Sequence, residues 1–314
     1  MSTPSPFLST RDAVCPPQLL ELARAAGRPK VAIARAGAPL PMEAAKDAAD
    51  AGLMTPVFTG ERAQIEAQAQ ALNWDISKFE LIDANGEEAA GMAAAQACGE
   101  GRADVLMKGQ LHTDVFMKSA LSRDVGLRTG ARLVHIFHIS HPDGGKPFVV
   151  SDAAVNVTPN AETRQDATRE VVKLLHALGN PRPKVAFLSA TESVIPSVPS
   201  SQEASDLAQW ARENVDGADF SGPLAMDLIL SPEAVATKGL SDDVVAGHAD
   251  AVIVPDIVSG NAIFKSFVYL SGGCAGGLVL GAKVPILLTS RADPPAARLA
   301  SVALAAIVSG TGQS

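Results

Sequence analysis

The chain has 314 residues, 47% hydrophobic and 4% aromatic, with a formal net charge of −8. That length and apolar content suffice for a large core and point to two lobes rather than one. The acidic balance argues against nucleic-acid or anionic-membrane binding, which needs a basic stripe, and the few aromatics argue against stacking platforms for single strands. Cys15, Cys98 and Cys274 are odd in number and lack CxxC spacing. Neither a disulfide framework nor a structural zinc site is expected, and a reducing compartment fits. The opening MSTPSPFLSTRDAVCPP has no basic stretch leading into an apolar run, and no transmembrane helix is read further on. A cytoplasmic protein is the expectation.

In chain order, apolar β-type runs fall at 30–34, 55–59, 79–82, 103–107, 132–138, 147–151, 184–189, 251–255, 276–280 and 285–289. Between many of them lie Ala-rich helical patterns, at 42–51, 62–72, 87–98, 161–178 and 201–213, with another from Pro294 onward. That alternation predicts βαβ units, an α/β fold and mostly parallel sheets. The runs at 132–138 and 147–151 flank the turn-rich HPDGGK (141–146), an antiparallel hairpin signal and a plausible start for the second lobe. The expected lobes are 1–139 plus 289–314, and 140–288.

Several polar clusters sit where a strand should end and a helix begin. Ligands of open α/β sheets bind beyond the carboxyl ends of strands. The first cluster is Lys108-Gly109-Gln110 with His112 and Thr113 after it. Gly109 would let backbone approach a ligand, and Thr113 would cap the next helix. The competing reading is a solvated loop histidine. Asp152 and Asn156 are polar within an apolar surround and must be paired, by the fold or by a ligand. Ser189-Ala-Thr-Glu192 is another strand-end polar turn. Asp256 closes a buried run, Gly260-Asn261 reads as a tight turn, and Asn261 and Lys265 share one helix face at i, i+4. The alternative there is an Asn cap with an exposed lysine.

The last cluster, VPILLTSRAD (284–293), is a short apolar run closed by Thr289, Ser290, Arg291 and Asp293. Hydroxyls, a helix N-terminus and one guanidinium together suit a phosphate dianion. A plain Ser290 cap beside a solvated Arg291 is the alternative. Two tempting signals are set aside. His135, His138 and His141 recur every third residue, but a strand of period two turns His135 and His138 to opposite faces, which does not suit a metal. The glycine-rich GGCAGG (272–277) lacks the spacing of a phosphate loop and reads as close packing or a bend.

Taken together, MKGQLHT (107–113), SDAAVNVTPNAE (151–162), GPLAMD (222–227), PDIVSGNAIFKSFVYL (255–270) and GAKVPILLTSRAD (281–293) resemble the phosphate acetyltransferase/phosphate butyryltransferase family. The resemblance runs from about Val31 to the C-terminus and is closer to the butyryl branch. It implies reversible acyl transfer between coenzyme A and orthophosphate, giving acyl phosphate, by direct attack in a ternary complex. It further implies a two-lobed isocitrate/isopropylmalate dehydrogenase-like architecture with the site in the cleft, and a homodimer. Coenzyme A enters as a substrate; no permanently bound cofactor, metal or nicotinamide is expected.

By the same resemblance Ser290 and Arg291 are the phosphate-binding pair and His112 and Thr113 lie near the cleft as substrate-binding positions; Thr289, Asn261 and Lys265, read from the residues themselves, are the other substrate-binding candidates. The acetyltransferases carry a catalytic aspartate several residues after that arginine. Here those positions hold Ala296, Ala297 and Arg298, so Asp293 becomes the candidate base. Two other classes stay in view. A metal- and NAD-dependent decarboxylating dehydrogenase would need an aspartate cluster that the chain does not assemble. A non-catalytic acyl-phosphate or CoA sensor would have no need of the Ser-Arg and Asn/Lys segments.

Overall fold

The computed structural model describes residues 5–288 and 292–311. The chain divides into two compact units, 14–131 with 276–314, and 1–13 with 132–275. The lobes expected from sequence were drawn at 139/140 and 288/289.

The first unit opens with α1 (Pro17–Ala26), β1 (Lys30–Ala34), α2 (Pro39–Asp50), β2 (Thr55–Gly60), α3 (Arg62–Ala71), β3 (Glu80–Asp83), α4 (Glu87–Gly99), β4 (Val105–Lys108) and α5 (Thr113–Ala120). Val31, Ala32, Ile33 and Ala34 of β1 are all fully buried, as are Val105 and Leu106 of β4. Parallel strands covered on both faces read as continuous apolar runs for this reason. At the sheet's edge β3 keeps Glu80 and Asp83 exposed. Phe58, Trp74 and Phe79 pack edge-on, centroids 5.6 to 6.1 Å apart, and close one end of this core.

The second unit contains β5 (Val134–Ser140), β6 (Phe148–Ser151), α6 (Ala161–Ala177), β7 (Lys184–Leu188), α7 (Pro199–Asn214), β8 (Asp219–Leu224), α8 (Met226–Leu230), α9 (Pro232–Thr237), β9 (Ala251–Ile253) and α10 (Ile257–Ser271). β5 and β6 pair antiparallel, the expected hairpin, and the strand order runs β5-β6-β9-β7-β8 with the other pairings parallel. Asn160 caps α6 by accepting from the Thr163 N–H at 2.9 Å, and Asp256 caps α10 by accepting from the Ser259 N–H at 2.8 Å.

β10 (Cys274–Leu280), β11 (Ile286–Leu287) and α11 (Pro295–Thr311) follow. In the first unit the order is β3-β2-β1-β4-β11-β10, parallel up to β11, with β10 antiparallel to it. The fold is therefore mixed α/β with mostly parallel sheets. Among the described residues no helix is long and apolar enough to cross a membrane.

One sequence expectation is corrected. Gly260-Asn261 is not a turn but lies inside α10. A Cβ at Gly260 would stand 2.6 Å from the Asp152 carbonyl oxygen, so the glycine serves a close helix–backbone approach. Gly109 also meets a requirement of the fold itself. Its Cβ would lie 2.3 Å from the Ala34 carbonyl oxygen, because the chain after β4 keeps pairing with the end of β1.

Candidate active site

β4 sits between β1 and β11, with Lys108 opposite Ala34 and Met107 opposite Leu287. Past Lys108 the ladder continues, Gly109 N–H donating to Ala34 O at 2.9 Å and Gln110 N–H to Arg35 O at 3.0 Å. The chain then turns into α5. His112 is the N-cap residue of that helix and Thr113 its first helical residue, so Thr113 is not the cap, and no side chain caps the first turn. The N-terminus of α5 thus keeps amide donors for another acceptor.

These residues line a pocket of about 180 Å³ together with Leu40, Pro41, Glu87 and Arg298. It lies at the carboxyl ends of parallel strands, where α/β sheets present ligands. Lys108 and Arg298 give it positive charge, and the start of α5 adds its dipole. Arg298 is buried, 8% exposed. Its Nη1 donates to the Asp293 carbonyl oxygen at 2.6 Å, while its Nε has no hydrogen-bond partner among the described residues.

Glu87 and His112, which line the pocket, belong to a chain of charged groups that runs back from it. Arg35 follows β1 with φ +54°, an uncommon conformation for a side-chain-bearing residue. Its guanidinium meets Glu61 (Nη2 to Oε1, 3.2 Å), Glu87 (Nη1 to Oε1, 3.1 Å) and the Gln110 carbonyl (3.3 Å). Glu87, the first residue of α4, uses its other oxygen on His112, accepting the backbone N–H at 2.9 Å and meeting ring Nδ1 at 2.8 Å. The backbone N–H of His112, then its ring, hold the Glu87 carboxyl below the usual range. Burial alone would raise Glu61. Its own backbone N–H, the Arg35 guanidinium and the Gly86 N–H outweigh that and lower it.

Of the residues singled out from sequence, His112 and Thr113 line this pocket, and Asp293 belongs to the same unit through its carbonyl contact with Arg298. Thr289, Ser290 and Arg291 lie outside the described residues. Asn261 and Lys265 belong to the other unit, on α10. Asn261 Nδ2 donates to the Ala153 carbonyl at 3.3 Å, and Lys265 is exposed. Asp152 and Asn156 are bound to each other and to local backbone. The Asp152 carboxylate accepts from the Ala154, Val155 and Asn156 N–H groups and from Asn156 Nδ2, the structural of the two readings. Sequence reasoning missed Arg35, Glu61, Glu87 and Arg298. Glu87 stood only as the start of the helical pattern at 87–98, and Arg298 alone carried a hint, as one of the positions where an aspartate was sought.

Comparison with known proteins gives these features a frame. A family profile described as "Phosphate acetyl/butaryl transferase" matches residues 88–306. A phosphate acetyltransferase of Rhizobium meliloti is 39% identical over 83% of this chain and 83% of its own length. A phosphate butyryltransferase of Clostridium acetobutylicum is 34% identical over 90% of this chain and 93% of its own. The crystal structure of a branched-chain phosphotransacylase from Enterococcus faecalis V583 superposes with a TM-score of 0.78 at 29% identity, covering 89% of this chain and 98% of that one. The mixed α/β fold with a pocket beyond the carboxyl ends of parallel strands is of the kind that serves α/β enzymes. More specifically, the chain belongs to the phosphate acetyl/butyryl transferase family, and is an acyltransferase of that kind.

Proposed function

We propose that the chain catalyses reversible transfer of a short acyl group, acetyl or butyryl, between coenzyme A and orthophosphate. Family membership over residues 88–306 carries this reading. The strand-end pocket with Lys108, Arg298 and the uncapped start of α5 supports it, since both substrates are anionic.

An orthophosphate oxygen attacks the thioester carbonyl, acyl phosphate forms, and the CoA thiolate departs with the bonding pair. Arg291 holds two phosphate oxygens in its planar fork and leaves a third free to attack. Ser290, Thr289, Thr113 and Asn261 supply neutral donors to phosphate or to the oxyanion of the tetrahedral intermediate, and Lys265 a cation to the anionic substrate. The roles of Ser290, Arg291 and Thr113 rest on the sequence resemblance, and those of Thr289, Asn261 and Lys265 on the residue pattern. In the reverse direction Asp293 or His112 takes the thiol proton. Coenzyme A is a substrate rather than a resident cofactor. A two-lobed, isocitrate/isopropylmalate dehydrogenase-like arrangement, a homodimer and a cytoplasmic location belong to the same reading.

Release of thiol from acetyl-CoA and butyryl-CoA, with and without phosphate, tests it. Phosphate-dependent release is expected with at least one donor, and Arg291→Gln should slow it roughly a hundredfold through loss of a charge-assisted contact. Phosphate-independent release would make the protein a thioesterase. Unchanged kinetics in the variant would remove Arg291 from the site.

A further inference from the structure

We propose that Glu87 is a positioning residue that sets the ring of His112 to move the proton of the CoA thiol. This rests on the acyl-transfer reading above. Its foundation is the double use of one carboxylate oxygen, since Glu87 Oε2 meets both the backbone N–H and ring Nδ1 of His112, at 2.9 and 2.8 Å. An ionised carboxylate only accepts hydrogen bonds, so Nδ1 carries the proton and the neutral ring has its lone pair on Nε2. The backbone bond fixes where the ring is rooted, and the ring bond fixes its orientation and tautomer. The His112 side chain is 80% exposed and lines the strand-end pocket, so Nε2 is accessible to a substrate.

Glu87 is itself held. Arg35 Nη1 engages its Oε1 at 3.1 Å, and Arg35 is pinned by Glu61 and by the Gln110 carbonyl. The line Glu61–Arg35–Glu87–His112 thus draws on the ends of β1 and β2 and the starts of α4 and α5. A solvated loop histidine needs no such support, whereas a base that must meet a thiol in one geometry does. Among the described residues the other charged groups lining the pocket are Lys108 and Arg298.

In the direction that makes acyl-CoA, the CoA sulfur attacks the carbonyl carbon of acyl phosphate. The carbon–sulfur bond forms, the carbon–oxygen bond to phosphate breaks, and phosphate leaves with the electron pair. Nε2 takes the thiol proton and returns it to the departing phosphate. In the opposite direction the same proton goes back to the CoA thiolate. No further reactant is needed.

The test compares wild type, Glu87→Gln, His112→Ala and the double variant with acyl phosphate and CoA. A positioning role predicts that Glu87→Gln lowers kcat about tenfold or more, a part of the roughly hundredfold or greater contribution of a general base. KM for both substrates should stay within about twofold, because ground-state binding is untouched. In the His112→Ala background the same substitution should have no further effect, since Glu87 acts only through the ring. Ring 15N spectra, with His112 identified by its loss in His112→Ala, should show the Nδ1–H tautomer in wild type and a shift away from it in Glu87→Gln. If Glu87→Gln does not fold, Glu87→Asp keeps the charge toward Arg35 but shortens the reach to the ring, and the same loss of kcat is expected. Wild-type kcat in the Glu87 variant, a full multiplicative loss on top of His112→Ala, or an Nε2–H tautomer in wild type would overturn the proposal. A wild-type protein without phosphate-dependent acyl transfer would overturn the functional reading, and the spectra would still decide the ring contact.

Discussion

Acid should destabilise this protein well above the pH at which its carboxylates protonate, and two histidines of β5 set the size of the effect. His135 and His138 are 4% and 5% exposed. The His135 ring stacks on Phe137 at 4.3 Å, and neither of its nitrogens has a hydrogen-bond partner among the described residues. Burial pushes both pKa values down from 6.5 to about 4, with the charge of Asp152 opposing the shift at His135. The unfolded chain binds protons at these rings from about pH 6.5 downward, and the folded chain does not until about pH 4. Between those values the unfolded state holds more protons, so stability is present above pH 6.5 and is lost as the pH falls. The gap is worth roughly 3 kcal/mol per ring when fully expressed, and about 2 kcal/mol per ring at pH 5. Urea unfolding followed by circular dichroism at pH 7.5, 6 and 5 measures it. His138→Gln and His135→Leu should each remove about half of the loss attributed to this pair. A stability that stays flat from pH 7.5 to 5, or a double variant as acid-sensitive as wild type, would refute the reasoning.

Gly109→Ala should cost upward of about 3 kcal/mol, because its Cβ would stand 2.3 Å from the Ala34 carbonyl oxygen, and an unchanged melting temperature would contradict that packing. Cys15, Cys98 and Cys274 are all buried, and burial lifts the first two thiols to about 11 and about 12. They should resist iodoacetamide near neutral pH, and the triple Cys→Ala variant should keep most of its activity. Recovery of an acylated cysteine that turns over at the catalytic rate would defeat the ternary-complex mechanism. Specificity constants should rise from acetyl-CoA to butyryl-CoA by roughly fourfold per carbon, the worth of one buried methylene. A preference for acetyl of more than about tenfold would place the chain with the acetyl branch instead.

Much of the sheet was legible because β1, β4 and β9 are buried on both faces and stand out as unbroken apolar runs. The helical periods at α3, α4 and α6 were equally plain, with ends displaced by a residue or so. β8 escaped notice because Gly222-Pro223 breaks its strand-like look, which an edge position tolerates. The start of α10 was hidden for a related reason. Gly260-Asn261 has the composition of a turn, and only the nearby Asp152 carbonyl explains a glycine inside that helix. At the site, His112 was readable from its place after a strand. Its partner Glu87 was not, because the two stand 25 residues apart and meet only once β1, β2 and β4 align in parallel. No local pattern announces such a pairing.

The central claim is that phosphate, and not water, receives the acyl group. A 31P NMR time course of the protein with butyryl-CoA and orthophosphate tests it most directly. The account predicts that the orthophosphate signal declines as an acyl-phosphate signal grows, one for one with thiol released, and that added CoA reverses both. Thiol release with no acyl-phosphate signal and no loss of orthophosphate would contradict it.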